Sequence, residues 1–464
     1  MRPAGTPFKR ADLGNEKIST LLARLSVPAM IGLMVNALYN FVDTIFVGHG
    51  VGPLGIAGLS IAFPIQIIIA AFALTFGTGS ASIISRKLGE GDEHTAAKAA
   101  GNALGITVLL TLVILIAGQI FIDEILVLFG ATGDILPYAR DYVQVILFGS
   151  VFLAIAMCSN GILRAEGQAK AAMMVMMIGT GLNIILDPIF IFVLDMGIRG
   201  VAWATVISQF TACMVVVRFL AGGKSTLHLQ RSSFIFSRSI LRDMTLLGLP
   251  ALVRQTGSSI LMITINNLLR IYGGDLGIAA FGIINRLAMF VIMPLFGIVQ
   301  GFQPIAGFNY GARKFDRVKE VLKTAALVTT LMGTGATILV QLFPRQIISI
   351  FTSDAQLLDI ATPALQIVFI AVPVVGIQVV GATFFQAIGK SLPSLLLTLS
   401  RQIILLLPLA LILSSLFQLN GLWLAFPAAD GLSTVITLIW LAAEIRRLNR
   451  KMLVLSQEPV MVID

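Results

Sequence analysis

The sequence predicts an all-α integral membrane protein, with twelve transmembrane helices forming two six-helix bundles related by a pseudo-twofold axis along the membrane normal. Three observations predict it. The 464-residue chain is 57% hydrophobic and only 12% charged, with mean hydropathy +0.94, where soluble domains carry about 25% charge. Apolar stretches of about 20 residues recur from end to end, each long enough to cross a ~30 Å hydrocarbon core as a helix. The chain also matches itself, without a gap, at an offset of 222 residues. Pro28 meets Pro250, and Gly52, Gly55, Ile56 and Ala57 meet Gly274, Gly277, Ile278 and Ala279. Gly89 meets Gly311, Phe129 meets Phe351, and Ala165 and Gly167 meet Ala387 and Gly389. Six spans per copy set both copies in the membrane in the same sense, flanking a central cleft.

The first half gives spans at 19–47, 56–85, 96–120, 137–160, 169–194 and 198–221. The second gives 245–271, 278–308, 319–343, 361–386, 391–416 and 420–443. The long stretches 56–85 and 278–308 should tilt or extend beyond the bilayer. This divides the chain into an N-terminal lobe (1–221), a cytoplasmic linker (222–243), a C-terminal lobe (244–443) and a cytoplasmic tail (444–464), loosely held after Arg450. The linker is rich in Ser, Gly and basic residues, and its FIFSRSIL part suits a membrane surface.

A net charge of +9 would point to nucleic acid in a soluble protein. Here Lys and Arg fall in alternate connections: Arg2, Lys9, Arg10, Lys17 and Arg24; Arg86, Lys87 and Lys98; Arg164 and Lys170. The series continues with Lys224, Arg231, Arg238 and Arg242, then Arg313, Lys314, Arg317 and Lys319, then Lys390, and last Arg446, Arg447, Arg450 and Lys451. The intervening connections hold few cations, with Asp123, Glu124 and Asp134 in one and Asp354 and Asp359 in another. The positive-inside rule then places both termini in the cytoplasm, and no nucleic-acid partner is expected. Residues 1–18 are polar and do not resemble a cleaved signal peptide.

Enzyme chemistry finds no foothold. GGKST at 222–226 ends like a phosphate-binding loop, but Arg218 stands where the first glycine belongs and the segment follows a membrane helix. His49, His94 and His228 are scattered without metal-ligand spacing. Cys158 and Cys213 fall inside spans and read as packing residues. No cofactor is expected beyond a coupling ion, so the energy must come from a gradient or a partner.

Ionisable residues within spans are costly, and each is therefore a functional candidate. They are Asp43, Asp187 and Asp430, with Arg254, Arg286 and Arg401. The repeat separates them. Asp43 corresponds to Ile265, Asp187 to Leu409, Asn183 to Leu405 and Asn160 to Ala382. The scaffold thus tolerates apolar residues at four places where the first copy is polar. Asn36, Tyr39, Asn40 and Asp43 share one face of span one, and Asn183 and Asp187 lie one turn apart on span five. Pro188 loosens the helix beside Asp187. These carboxylate, carboxamide and hydroxyl oxygens suit a proton or an alkali cation. The plain alternative is that each acid pairs with a neighbouring donor, and for Asp430 the two readings weigh equally. Arg254 is placed to snorkel, and Arg286 and Arg401 to cap carbonyls or pair with an acid.

ALYNFVDTIFVG at 37–48, NGILRAEG at 160–167, GLNIILDPIFIF at 181–192 and GVAWAT at 200–205 resemble the MATE (multidrug and toxic compound extrusion) transporters. The resemblance covers nearly the whole chain and is nearest to the DNA-damage-inducible-F-like branch. It implies a cation site for H⁺ or Na⁺ at Asp43, Asn183, Asp187 and Thr205, with Asn160 and Tyr39 in the surrounding polar network. It implies export of small lipophilic organic cations by alternating access, from a bacterial or archaeal inner membrane, by a monomer with a hinge near Pro28. The acids that a related branch carries in spans seven and ten have no match here. A lipid-linked saccharide flippase of the same superfamily is the alternative, and it calls for a basic cleft. A major-facilitator carrier would need an acidic-basic signature that SRKLGEGDEH at 85–94 lacks. A receptor or anchor would show no gradient-dependent transport.

Overall fold

The computed structural model describes residues 12–223 and 225–457, and among these the chain is helical with no strand. Arg2, Lys9, Arg10 and Lys224 lie outside the described residues. In the first half the helices are α1 (Ile18–Gly50), α2 (Pro53–Glu90), α3 (Glu93–Ile120), the short α4 (Ile122–Leu128), α5 (Leu136–Ala165), α6 (Ala169–Pro188) and α7 (Gly197–Ala221). The second half continues with α8 (Arg238–Gly311), α9 (Phe315–Leu342), the short α10 (Pro344–Ser349), α11 (Ala355–Phe369), α12 (Val372–Ala387), α13 (Ser391–Leu399) and α14 (Leu407–Gln457). Among the described residues nine helices are long and apolar enough to cross a membrane, or ten with the bent pair α11 and α12 as one span. Two of these are double: α8 turns at Gly274, and the stretch Ser391–Val454, where a π-helical Ser400–Leu406 carries α13 into α14, turns at Gln418, each with non-helical backbone. Divided there, the described residues supply the expected twelve spans.

The repeat is visible in the backbone. Gly52 and Gly274 both adopt left-handed φ (+89° and +56°), as do Gly167 and Gly389 (+80° and +84°). Only glycine enters that region without strain, so these four positions keep the turns between spans at matched places. The short helices α4 and α10, which apolar run lengths alone do not separate from their neighbours, also begin 222 residues apart.

Three expectations change. The span expected at 361–386 is bent by 46° between Phe369 and Val372. Pro373 sits at the start of α12 and brings no N–H to continue the ladder, whereas the counterpart α5 runs unbroken through Val151. The stretch after Arg450, expected to be loosely held, is helical to Gln457, the last described residue; ahead of it, buried Glu444 pairs with Lys390 and with Arg447 at 3.8 Å. The linker ends early, because α8 begins at Arg238.

Two compact units form, one built on Arg24–Leu252 and the other on Leu13–Ala23 with Val253 onward. Compared with a division at 221 and 244, the first turns of α1 and of α8 have changed places. Each exchange has a packing cause. Gly79 on α2 lies against the Met244 carbonyl and Gly248 against the Thr75 carbonyl, so the start of α8 meets α2 backbone to backbone with no room for a Cβ. In the second unit Asn309 Nδ2 donates to Leu13 O (2.8 Å) and Arg317 Nη2 to Glu16 O (2.6 Å). The first unit's apolar core gathers Val47, Ile69, Leu126, Tyr142, Leu147 and Ile191. The second unit's gathers Ile265, Leu269, Phe281, Phe369, Leu422 and Trp423. Cys158 and Cys213 are both free thiols buried in the first unit's packing.

Candidate functional site

Three helices of the first unit, α1, α6 and α7, bring the polar candidates together. On α1 the helical period stacks Tyr39 one turn before Asp43. On α6 the last turn carries Asn183 and Asp187, and the α-helical ladder ends at Pro188, followed by a π-helical turn over Ile189–Val193. Such wider turns recur at functional sites, because they release backbone groups and re-aim side chains. Asp187 is fully buried and Asn183 is 2% exposed.

Asn183 Nδ2 donates to Asp187 Oδ1 (3.1 Å) and to Thr205 Oγ1 on α7 (3.3 Å). Thr205 Oγ1 in turn donates to Val201 O at 3.0 Å. Asp43 on α1 and Asp187 on α6 are close neighbours. Tyr39 lies near both acids. Three oxygens in this cluster are buried without a partner: Asp43 Oδ1, Asn183 Oδ1 and Asp187 Oδ2. A buried acceptor left unmatched costs about 1–3 kcal/mol. Three in one place make a site that accepts and does not donate, which is the electrostatic character a proton or a small hard cation requires. Thr205 fits a positioning role better than that of a ligand, since its hydroxyl already serves Val201 and Asn183.

Two residues of the cluster were not singled out from the sequence. Tyr142 on α5 is buried near Asp43 and Asp187, and Gln66 on α2 donates to its hydroxyl at 3.0 Å. The repeat carried the signal, for Gln66 and Tyr142 correspond to Ala288 and Ala364. Asn160 is directed elsewhere. Its Nδ2 donates to Ala172 O (3.0 Å), eleven residues before Asn183, or roughly 16 Å along the helix at 1.5 Å per residue. Asn36 is exposed on α1, and the side chain of Asn40 lies outside the described residues.

In the second unit the structural reading prevails for Asp430, whose Oδ1 accepts from Arg401 Nε at 2.7 Å. Gln378 Nε2 ties the Asp430 carbonyl to Thr434 Oγ1. Arg254 stacks over the Phe296 ring, 5.2 Å from its centroid, instead of snorkelling. Arg286 is exposed.

A family model described as MatE matches residues 28–189 and again residues 250–412. The chain belongs to the MatE family. The two matches begin at Pro28 and Pro250, 222 residues apart, so the family unit is the repeat itself. The protein is a multi-pass membrane transporter and not an enzyme. It is 26% identical over 437 residues to a probable multidrug resistance protein, YoeA, of Bacillus subtilis, covering 91% of this chain and 94% of that one. It is equally 26% identical to a protein named FAD transporter of Shewanella oneidensis, with the same coverage. A crystal structure described as the outward-facing conformation of a multidrug resistance MATE family transporter superposes with TM-score 0.88 at 29% identity, over 96% of this chain and all of the other.

Proposed function

We propose that this MatE transporter is a cation-coupled antiporter that exports lipophilic organic cations by alternating access, with both termini in the cytoplasm. The carrying observation is the cluster of three unmatched acceptor oxygens on Asp43, Asn183 and Asp187. A proton or Na⁺ arriving there offsets the desolvated charge, and a cationic substrate competes for the same negative potential, so each weakens the other's binding. Asp43 lies on α1, an element whose first turn belongs to the second unit and whose ladder is interrupted at Pro28. A change of charge at Asp43 therefore acts on a helix able to bend. A membrane potential of 100 mV adds about 2.3 kcal/mol per elementary charge moved. The relatives named for multidrug resistance support this reading of the cargo.

The test is efflux of a cationic dye from vesicles holding the purified protein, with a proton gradient and a sodium gradient imposed separately. Efflux driven by one of them establishes both transport class and coupling ion; efflux indifferent to both ends the proposal. An anionic cargo is the second reading, favoured by the exposed Arg286 within a span and by the flavin-named relative. Flavin export in the same vesicles, with no dye efflux, would select it.

A further inference from the structure

The segments that lead into α1 and α8 are repeat equivalents, Leu13 corresponding to Ile235, Glu16 to Arg238 and Thr20 to Arg242. Their backbones are gripped in the same way: Asn309 Nδ2 donates to Leu13 O at 2.8 Å and Asn102 Nδ2 to Ile235 O at 3.0 Å. Their side chains meet opposite fates. Leu13 is 3% exposed, while Phe234, Ile235 and Phe236 stand 45%, 65% and 47% exposed. Mobility is not the reason, because this segment is pinned. Ser233 O also accepts from Asn102 Nδ2, Ser237 N donates to Asn102 Oδ1 at 2.8 Å, and the Phe236 ring rests over Gly105 of α3.

Beside Phe236 an open groove of about 550 Å³ is lined by Arg238, Leu241, Arg242, Thr245 and Leu246. These five positions follow the i, i+3, i+4, i+7, i+8 spacing of one helix face. Along that face two arginines one turn apart stand beside Leu241 and Leu246, with Phe236 just before the helix start. Arg238 and Arg242 are exposed, and among the described residues neither guanidinium meets a carboxylate. Asp243 is exposed as well, but it sits about 100° around the helix from Arg242.

We infer that this groove is a binding site for one anionic phospholipid. The phosphate sits between the guanidinium groups of Arg238 and Arg242, one turn apart, and an acyl chain runs along Phe236, Leu241 and Leu246. A membrane lipid joins the two chemistries the groove sets side by side, an anionic head for the paired guanidinium groups and hydrocarbon for the apolar wall. A soluble phosphate would leave the apolar wall unmatched. The pinned Phe236 keeps the wall formed before the lipid arrives, which lowers the ordering cost of binding. The site does not depend on which ion drives transport.

Native mass spectrometry of the full chain in detergent, offered phosphatidylglycerol, phosphatidylcholine or inorganic phosphate, tests the site. One retained phosphatidylglycerol per chain is expected, with phosphatidylcholine weaker and inorganic phosphate unable to displace the lipid. Arg238→Gln with Arg242→Gln should weaken retention at least about tenfold, each basic group near an anionic lipid adding of the order of a five-fold gain. Arg238→Lys with Arg242→Lys should retain it. Arg446→Gln with Arg450→Gln, an equal loss of charge elsewhere, should leave it unchanged. Retention indifferent to the first pair, equal loss with the distant pair, equal retention of phosphatidylcholine, or displacement by inorganic phosphate would each overturn the site.

Discussion

The two units place opposite chemistry on one framework. In the first, half-buried Tyr39, Asp43 and Gln66 and buried Tyr142, Asn183 and Asp187 make a polar cluster. At the same six places the second half has Leu261, Ile265, Ala288, Ala364, Leu405 and Leu409. All six lie in or against that unit's hydrophobic core. Ile265 is 1% exposed where Asp43 stands in the first unit. Burying an aliphatic side chain contributes about 1.5–3 kcal/mol, while an unmatched buried acceptor costs about 1–3 kcal/mol. The first unit therefore gives up stability that the second retains, and gains a site that responds to cations. A helical scaffold that accepts both sets has no structural need of the polar one.

The sharpest way to break this comparison is to make the first unit resemble the second. Asp43→Leu and Asp187→Leu, singly, should abolish dye efflux while the purified protein melts at the same or a higher temperature. Loss of folded protein instead would mean that the acids are structural. The reverse exchange should fail through stability. Ile265→Asp places an unpaired carboxylate in a dry core and should cost about 4 kcal/mol or more, read as collapse of the monodisperse yield in detergent. Arg401→Gln leaves the Asp430 carboxylate buried without its partner, costing about 3 kcal/mol; the melting temperature should fall while the gradient dependence of the remaining efflux is kept. Gln66→Ala removes the donor to the Tyr142 hydroxyl and should cost about 1 kcal/mol, with a change in the pH profile of efflux that a purely structural contact would not produce.

The smallest effect lies outside the spans. Asp92 caps α3, and the Thr95 N–H donating to its carboxylate holds that carboxyl below the usual range. The stabilisation it gives is present above the ordinary carboxylate pKa and fades as pH falls through the lowered value. Asp92→Ala should cost about 1 kcal/mol near neutral pH and progressively less in acid, as thermal melts across pH would show.

Much of this was legible in sequence because the repeat supplied a control within the chain. Apolar run length located all twelve spans, and the departures of Asp43, Asn183 and Asp187 from Ile265, Leu405 and Leu409 located the site. Tyr142 and Gln66 escaped notice, since neither is charged and a tyrosine or glutamine in a span fits ordinary packing. The same control, applied to them, points to Ala364 and Ala288. Asn160 was misplaced for a different reason. It departs from Ala382 like the others, but position along the helix, which the offset does not report, sets it roughly three turns from Asn183. The bend before α12 depends on Pro373, and a proline in a span permits a kink without requiring one.

Gradient-driven dye efflux from vesicles, compared for Asp43→Asn and Asp430→Asn, tests most directly whether coupling resides in the first unit alone. Asp43→Asn should lose dependence on the imposed cation gradient, and Asp430→Asn should keep it at whatever level of folded protein remains. Gradient dependence surviving in Asp43→Asn, or vanishing in Asp430→Asn, would contradict a coupling site confined to the N-terminal half.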